Sequence, residues 1–287
     1  MRRGLLPLAI LAAVGTIVTA SLLSRGSDSV EPAIGATTPS QTGTGPVVAP
    51  VTLFADEFDA NELDASKWGT CHWWGASGCT ITGGNEKEWF LPEQVSTRGG
   101  LAYLTAERRS FTSPDGVVHP YVSGMIGSGP PDSEESPARF SFTYGRAEMR
   151  ARLPPGRGMW SAFWLLPTTR ESKPEIDVFE VLGKSPSTVR MHYHWAQDGA
   201  TQVDGKNWDG PNLSDDWHTY AIDWTPGALV WLVDGVERWR VTGGHVPSEP
   251  MYLIASLAVG GDWGGDPDEN TPFPNSLEID YIRVTRP

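Results

Sequence analysis

The chain has 287 residues, 35 acidic against 22 basic side chains and a formal charge of −13. A net negative surface repels phosphate backbones and anionic lipid, which sets nucleic-acid binding aside. Its 32 glycines and 24 prolines are scattered throughout, which excludes a helical bundle or coiled coil and favours short strands joined by tight turns.

At the N-terminus, Met1-Arg2-Arg3 precedes an apolar run from Leu5 to Leu23. Positive charge followed by a hydrophobic stretch is the layout of a secretory signal, with Val18-Thr19-Ala20 as a small-residue cleavage site. Left uncut, the run is long enough to span a bilayer as a signal anchor. Residues 1–23 therefore read as signal peptide or signal anchor. Residues 24–50 are rich in Ser, Thr, Gly and Pro, bury too little to offset their ordering entropy, and read as a linker. Residues 51–287 read as one domain of a secreted or extracellular monomer, touching a membrane only through an uncleaved anchor. Export places Cys71 and Cys79 in an oxidising compartment, where a local disulfide is expected and two buried free thiols are the alternative.

Along the domain, runs with strand character occur at Leu101–Glu107, Tyr144–Leu153, Trp160–Leu166, Glu175–Leu182, Thr188–Trp195, Trp217–Trp224, Leu229–Val233, Met251–Val259 and Leu277–Val284. The clearest alternation sets Ala147, Met149, Ala151 and Leu153 on one face and Arg146, Glu148, Arg150 and Arg152 on the other, a period of two that no helix has. Asp234-Gly235 between apolar runs predicts a tight hairpin. No segment sustains a 3.6-residue period. The expected fold is all-β: two packed antiparallel sheets, a sandwich or jelly roll with a concave cleft.

The segment Glu175-Ile176-Asp177-Val178-Phe179-Glu180 carries acids at i, i+2 and i+5. In a regular strand Glu180 would point away from the other two. One extra residue taken up as a β-bulge restores its parity. Glu175 and Glu180 then lie about 13 Å apart at Cα, and side chains leaning together across a concave sheet close that to about 5 Å between carboxyls, the spacing of a retaining glycosidase. A solvated acidic face is the alternative; embedding in Trp160, Phe163, Trp164 and Phe179 argues against it, because three like charges in a partly dry groove repel one another.

Thirteen tryptophans suit a polysaccharide partner, since indole faces pack on pyranose C–H faces. Trp217, Trp224, Trp231 and Trp239 sit in strand runs and read as core, whereas Trp73, Trp74, Trp89 and Trp263 lie in Gly-rich contexts and read as platforms. His192 and His194 share a strand face but lack a clear third ligand, so zinc catalysis is disfavoured. No Gly-x-Ser-x-Gly elbow is present, which disfavours an esterase.

Glu175-Ile-Asp177-Val-Phe-Glu180 resembles the signature of glycoside hydrolase family 16 in its bulged, laminarinase-like form. Phe54-Ala55-Asp56-Glu57-Phe58, Asn85-Glu86-Lys87-Glu88-Trp89, Tyr144-Gly145-Arg146 through Pro167, and Gly260-Gly261-Asp262-Trp263 extend the resemblance over residues 51–287. It implies a secreted endo-acting β-jelly-roll hydrolase with Glu175 as nucleophile, Glu180 as general acid/base and Asp177 holding a proton or hydrogen bond between them. It further implies substrate contacts from Asn85, Trp89, Trp160, Trp164, His192 and Trp263, no cofactor for catalysis, and a candidate structural calcium at Glu57 and Asp280. The implied substrate is a β-linked polysaccharide, first of all β-1,3-glucan, with mixed-linkage glucan or a galactan-type chain as alternatives. A transglycosylase or a non-catalytic glucan-binding module keeps the same residues in play. Met125 and Ser256 depart from the pattern, where laminarinase-like members often carry Arg and Asn.

Overall fold

A computed structural model describes residues 49–74, 79–81, 83–131 and 136–286. The expected signal segment, 1–23, lies outside the described residues, as does the expected linker apart from Ala49 and Pro50. The strands begin with β1 (Val51–Asp56), β2 (Glu88–Phe90), β3 (Val95–Arg98), β4 (Leu101–Ala106), β5 (Phe111–Thr112), β6 (Val118–His119), β7 (Tyr121–Ser123) and β8 (Met125–Gly127). Five longer ones follow: β9 (Gly145–Arg152), β10 (Met159–Pro167), β11 (Glu175–Leu182), β12 (Thr188–Gln197) and β13 (Ala200–Asp209). The chain closes with β14 (His218–Thr225), β15 (Ala228–Val233), β16 (Val236–Thr242), β17 (Met251–Val259), the one-turn helix α1 (Gly261–Gly264) and β18 (Asn275–Arg286).

Two antiparallel sheets dominate, as an all-β sandwich requires. One runs β16-β15-β14-β9-β18-β4-β3, with β1 added against β18; the other runs β13-β12-β11-β10-β17-β8. In β9 the alternation is realised residue by residue: Gly145, Ala147, Met149 and Ala151 are buried and the intervening Arg and Glu half-exposed. The β15–β16 hairpin turns on Asp234 (φ 52°) and Gly235 (φ 73°). Two successive positive φ angles give a primed turn, whose twist matches that of its strands.

The main core lies between the sheets, fed by the inward residues of β10, β11 and β12 (Phe163, Leu165, Ile176, Phe179, Met191, Tyr193) and of β9, β14, β15 and β18 (Met149, Tyr220, Trp231, Ile282). Phe179 packs on Tyr220 with ring centroids 4.1 Å apart. Truncating a side chain such as Phe179 to Ala would cost about 3–5 kcal/mol.

β17 is buried at all nine positions, so its other face is covered as well. There Phe90, Met125, Ala162, Trp164, Leu166, Tyr252 and Ile254 form a second apolar cluster, with Trp73, Trp74, Cys79 and Ile81 packed over it. The disulfide between Cys71 and Cys79 ties this cover together. Trp73 and Trp74, expected as open platforms, are thus half-buried packing residues, and Trp73 donates its indole N–H to the Tyr252 hydroxyl at 3.1 Å.

Candidate active site

A bulge in β11 decides which way its acids point. Across β10, Phe163 pairs with Phe179 and the next residue, Trp164, pairs with Asp177, leaving Val178 without a partner. Across β12, Asp177 faces His192 and Glu180 faces Arg190, so three steps on β11 oppose two on its neighbour. Val178 and Phe179 both turn into the core, at 2% and 0% exposure. Glu180 consequently returns to the face of Glu175 and Asp177. The carbonyl of Asp177, displaced at the bulge, accepts the indole N–H of Trp231 from the opposite sheet at 2.8 Å, which satisfies a group that burial would otherwise penalise.

The imidazoles of β12 confirm the shared face. His192 Nδ1 lies 2.7 Å from Glu180 Oε2. His194 Nε2 lies 3.3 Å from Asp177 Oδ2 and 3.7 Å from Glu175 Oε1. Since His192 and His194 are two apart on one strand, all three acids line a single wall. That wall is nearly dry: the acid side chains are 14%, 6% and 11% exposed in chain order.

Burial, then the charge of Asp177, raises the carboxyl of Glu175, against the pull of Lys173 and His194. Burial, then the charge of Glu180, raises that of Asp177. Burial and a neighbouring acid thus both act against the charged forms of Glu175 and Asp177. For His192, burial opposes the charged form, but the Glu180 hydrogen bond and the surrounding acids outweigh it and the imidazole is raised. His194 is raised in the same way by Asp177 and Glu175.

Two cations complete the site. Lys173 Nζ donates to Glu175 Oε2 at 2.9 Å, with only 11% of its side chain exposed. Arg190 lies over the Trp263 ring, 5.5 Å from its centroid. Trp160 donates Nε1–H to Glu180 Oε1 at 3.2 Å and meets Trp263 edge to face at 5.1 Å. Glu180 is thereby held by an indole on one oxygen and an imidazole on the other. Chemically, the wall offers one carboxylate fixed by a lysine, a second carboxyl oriented for proton transfer a few residues away, and aromatic rings beside both.

A profile of glycosyl hydrolases family 16 matches residues 125–283. A β-glucanase of Rhodothermus marinus is 30% identical over 272 residues, covering 82% of this chain and 84% of that protein. The chain belongs to glycosyl hydrolase family 16. Glucan endo-1,3-beta-glucosidase A1 of Niallia circulans is 31% identical over 85% of this chain. The chain spans between 39% and 50% of the length of that relative and two others. Among solved structures, the laminarinase catalytic domain of Thermotoga maritima superposes with a TM-score of 0.73 at 30% identity, covering 83% of this chain and 98% of that one.

Within this family 16 chain the expected site residues separate into those brought together and those kept apart. Trp160, His192 and Trp263 adjoin the acids. Asn85 is exposed (φ 58°) and bonds Asp262 of α1 at 2.9 Å, which places it at the rim beside Trp263. Trp164 is 8% exposed and belongs to the second apolar cluster, its Nε1 directed at Ser256 Oγ, 3.4 Å away. Trp89 is a correction: it is 4% exposed and stacked on Phe111, because β2 pairs with β7 and turns its indole inward. Glu57 and Asp280 do not fit calcium. Arg283 grips Glu57 through two hydrogen bonds of 2.7 and 2.6 Å, and Arg150 holds Asp280 at 2.5 Å, so guanidinium charge stands where a hard cation would need free oxygens. Met125 and Ser256 are cross-strand partners, both buried, so a thioether stands where a guanidinium is often found, beside the Ser256 hydroxyl that faces Trp164. Lys173 escaped the sequence reading, since it lies outside β11, which begins at Glu175, and no strand period reaches it.

Proposed function

We propose that this chain is an endo-acting retaining glycoside hydrolase that cleaves a β-linked glucan by double displacement. The observation that carries the reading is the Val178 bulge, which sets Glu175 and Glu180 on one wall with different surroundings. Glu175, paired with Lys173, attacks the anomeric carbon. Glu180, oriented by Trp160 and His192, gives its proton to the glycosidic oxygen as the bond breaks. A glycosyl ester on Glu175 results. Glu180, now a base, takes a proton from water, which attacks the same carbon and frees the carboxylate. Two inversions leave the configuration unchanged. Asp177 sits between them, its charge disfavoured by burial, and passes hydrogen bonding along the wall.

β-1,3-Glucan is the first substrate to try, since relatives named endo-1,3-β-glucosidase and laminarinase match over most of the chain. Met125 and Ser256, standing where laminarinase-like members often carry Arg and Asn, keep mixed-linkage glucan and galactan-type chains in the same trial. Export is part of the proposal, motivated by Arg2, Arg3 and the apolar run after them. The test is reducing-end release from laminarin, mixed-linkage glucan, agarose, carrageenan and β-galactan. The native chain should cut at least one glucan, and Glu175→Gln and Glu180→Gln should each abolish the cut. Binding without cleavage of any member would favour a non-catalytic module instead, and near-normal activity in either variant would overturn the assigned roles.

A further inference from the structure

The wall holds a second constellation that overlaps the first and has the geometry of a metal site. One ligand atom from each of Asp177, His192 and His194 lies within 4.8 Å of the others. Two imidazoles and a carboxylate are the donor set that first-row divalent cations of borderline softness prefer, and such sites commonly leave a position open to water. We propose that Asp177, His192 and His194 form a binding site for a borderline divalent cation such as Zn²⁺ or Cu²⁺, and that its occupancy excludes catalysis.

Backbone pairing makes the site rigid. Asp177 and His192 are direct cross-strand partners, and His194 is two residues along. The facing residue on β13 is Gly205; a Cβ there would run into the His192 ring, so the glycine leaves that imidazole its place. Glu175, 3.7 Å from His194, adds carboxylate charge beside the trio that draws a dication into a nearly dry wall. With a zinc–nitrogen length of about 2.0–2.1 Å, ligand atoms no more than 4.8 Å apart, His194 Nε2 and Asp177 Oδ2 already at 3.3 Å, close on the ion through small side-chain rotations. Glu175 Oε1, 3.7 Å from His194 Nε2, or a water supplies the fourth ligand.

Occupancy and turnover compete for the same atoms. The cation takes a carboxylate oxygen of Asp177, which His194 now approaches at 3.3 Å, and ties up the His192 ring that orients Glu180. It also places two positive charges beside a carbon that becomes oxocarbenium-like in the transition state, which raises that state's energy. This second half rests on the proposed hydrolytic activity; the first half does not.

The test titrates ZnCl₂ calorimetrically into the metal-free full chain, with His194→Asn, His192→Gln and His218→Asn in parallel. His218 lies beside Asp234, 2.8 Å away, and belongs to no such three-ligand group among the described residues, so it serves as control. One zinc per chain is expected, weakened more than tenfold in the first two variants and unchanged in the third. Loss of a ligand should exceed the roughly 10–100-fold cost of losing an outer-shell partner. X-ray absorption on the native chain with one equivalent of zinc should show two imidazoles, which decides the matter if a variant misfolds. Absence of a stoichiometric site, a shell without two imidazoles, or a site untouched in both active-wall variants overturns the assignment. Polysaccharide cleavage should then fall as zinc fills the site and return with EDTA. Full activity at saturating zinc overturns the exclusion while leaving the site, and failure to cut any polysaccharide counts against the hydrolytic reading alone.

Discussion

Glu175 sits in more negative charge than a nucleophile needs, with Asp177 two residues away and its side chain only 14% exposed. Lys173 is the group that offsets this. A hydrogen bond to a charged group is worth about 1.5–3 kcal/mol, so Lys173→Met should lower kcat/KM roughly tenfold or more. The sign for pH follows from the direction of each effect. Burial and Asp177 raise the Glu175 carboxyl and Lys173 lowers it; removing Lys173 raises it further, so the nucleophile stays protonated to higher pH. The acid limb of the kcat/KM profile should therefore move upward in Lys173→Met and return towards the native position in Lys173→Arg. An unmoved limb would show that Lys173 merely packs. Nothing in the sequence pattern singles this residue out, because it precedes the strand that starts at Glu175 and its partner is set by the chain's path before that strand. Trp89 shows the opposite failure: a glycine-rich neighbourhood suggested an exposed ring, but the three-residue strand that buries it has no period long enough to read.

β11 was the most legible element, because acids at i, i+2 and i+5 share a face only if one residue is extra. What the pattern left open was which residue is extra and what holds the distortion. Val178 is unpaired, and Trp231 caps the displaced carbonyl of Asp177 from the far sheet, a contact across 54 residues of sequence. Deleting Val178 should leave acids at i, i+2 and i+4, already in phase without a bulge, with Phe179 still facing the core. The deletion should thus cost thermal stability yet retain measurable kcat/KM, unlike Glu180→Gln, which should have none. A folded deletion variant as inactive as Glu180→Gln would mean that the bulge sets distance as well as side. β13 was missed for a physical reason: it is an edge strand, mostly exposed, and its Ala-Thr-Gln-Val-Asp-Gly-Lys-Asn-Trp-Asp sequence carries no apolar alternation. With both faces exposed, it has no core side for an apolar alternation to mark.

At the scale of the molecule, the all-β class and the Asp234-Gly235 hairpin were within reach of the sequence; the strand order was not, nor was the cover over the second apolar cluster, which joins Trp73, Phe90, Met125 and Tyr252 from four separate segments. The same packing buries Glu88 completely. Its Oε2 accepts the Val259 N–H at 2.7 Å, its Oε1 has no partner among the described residues, and burial pushes its carboxyl up to about 8. Between the ordinary 4.5 and that value the folded chain keeps a proton that the unfolded chain has shed, so this group makes stability fall as pH rises through the window. Denaturant midpoints at pH 5 and pH 8 should converge in Glu88→Gln relative to the native chain; an unchanged gap would show that Glu88 does not carry the proton. The wall of Glu175, Asp177 and Glu180 makes a claim of its own about the whole reaction, namely that the sugar carbon is attacked twice from opposite sides. Proton NMR of a β-glucan digest in its first minutes, before mutarotation, reads this directly. The account predicts that the new reducing ends appear first as the β anomer, and first appearance of the α anomer would contradict it.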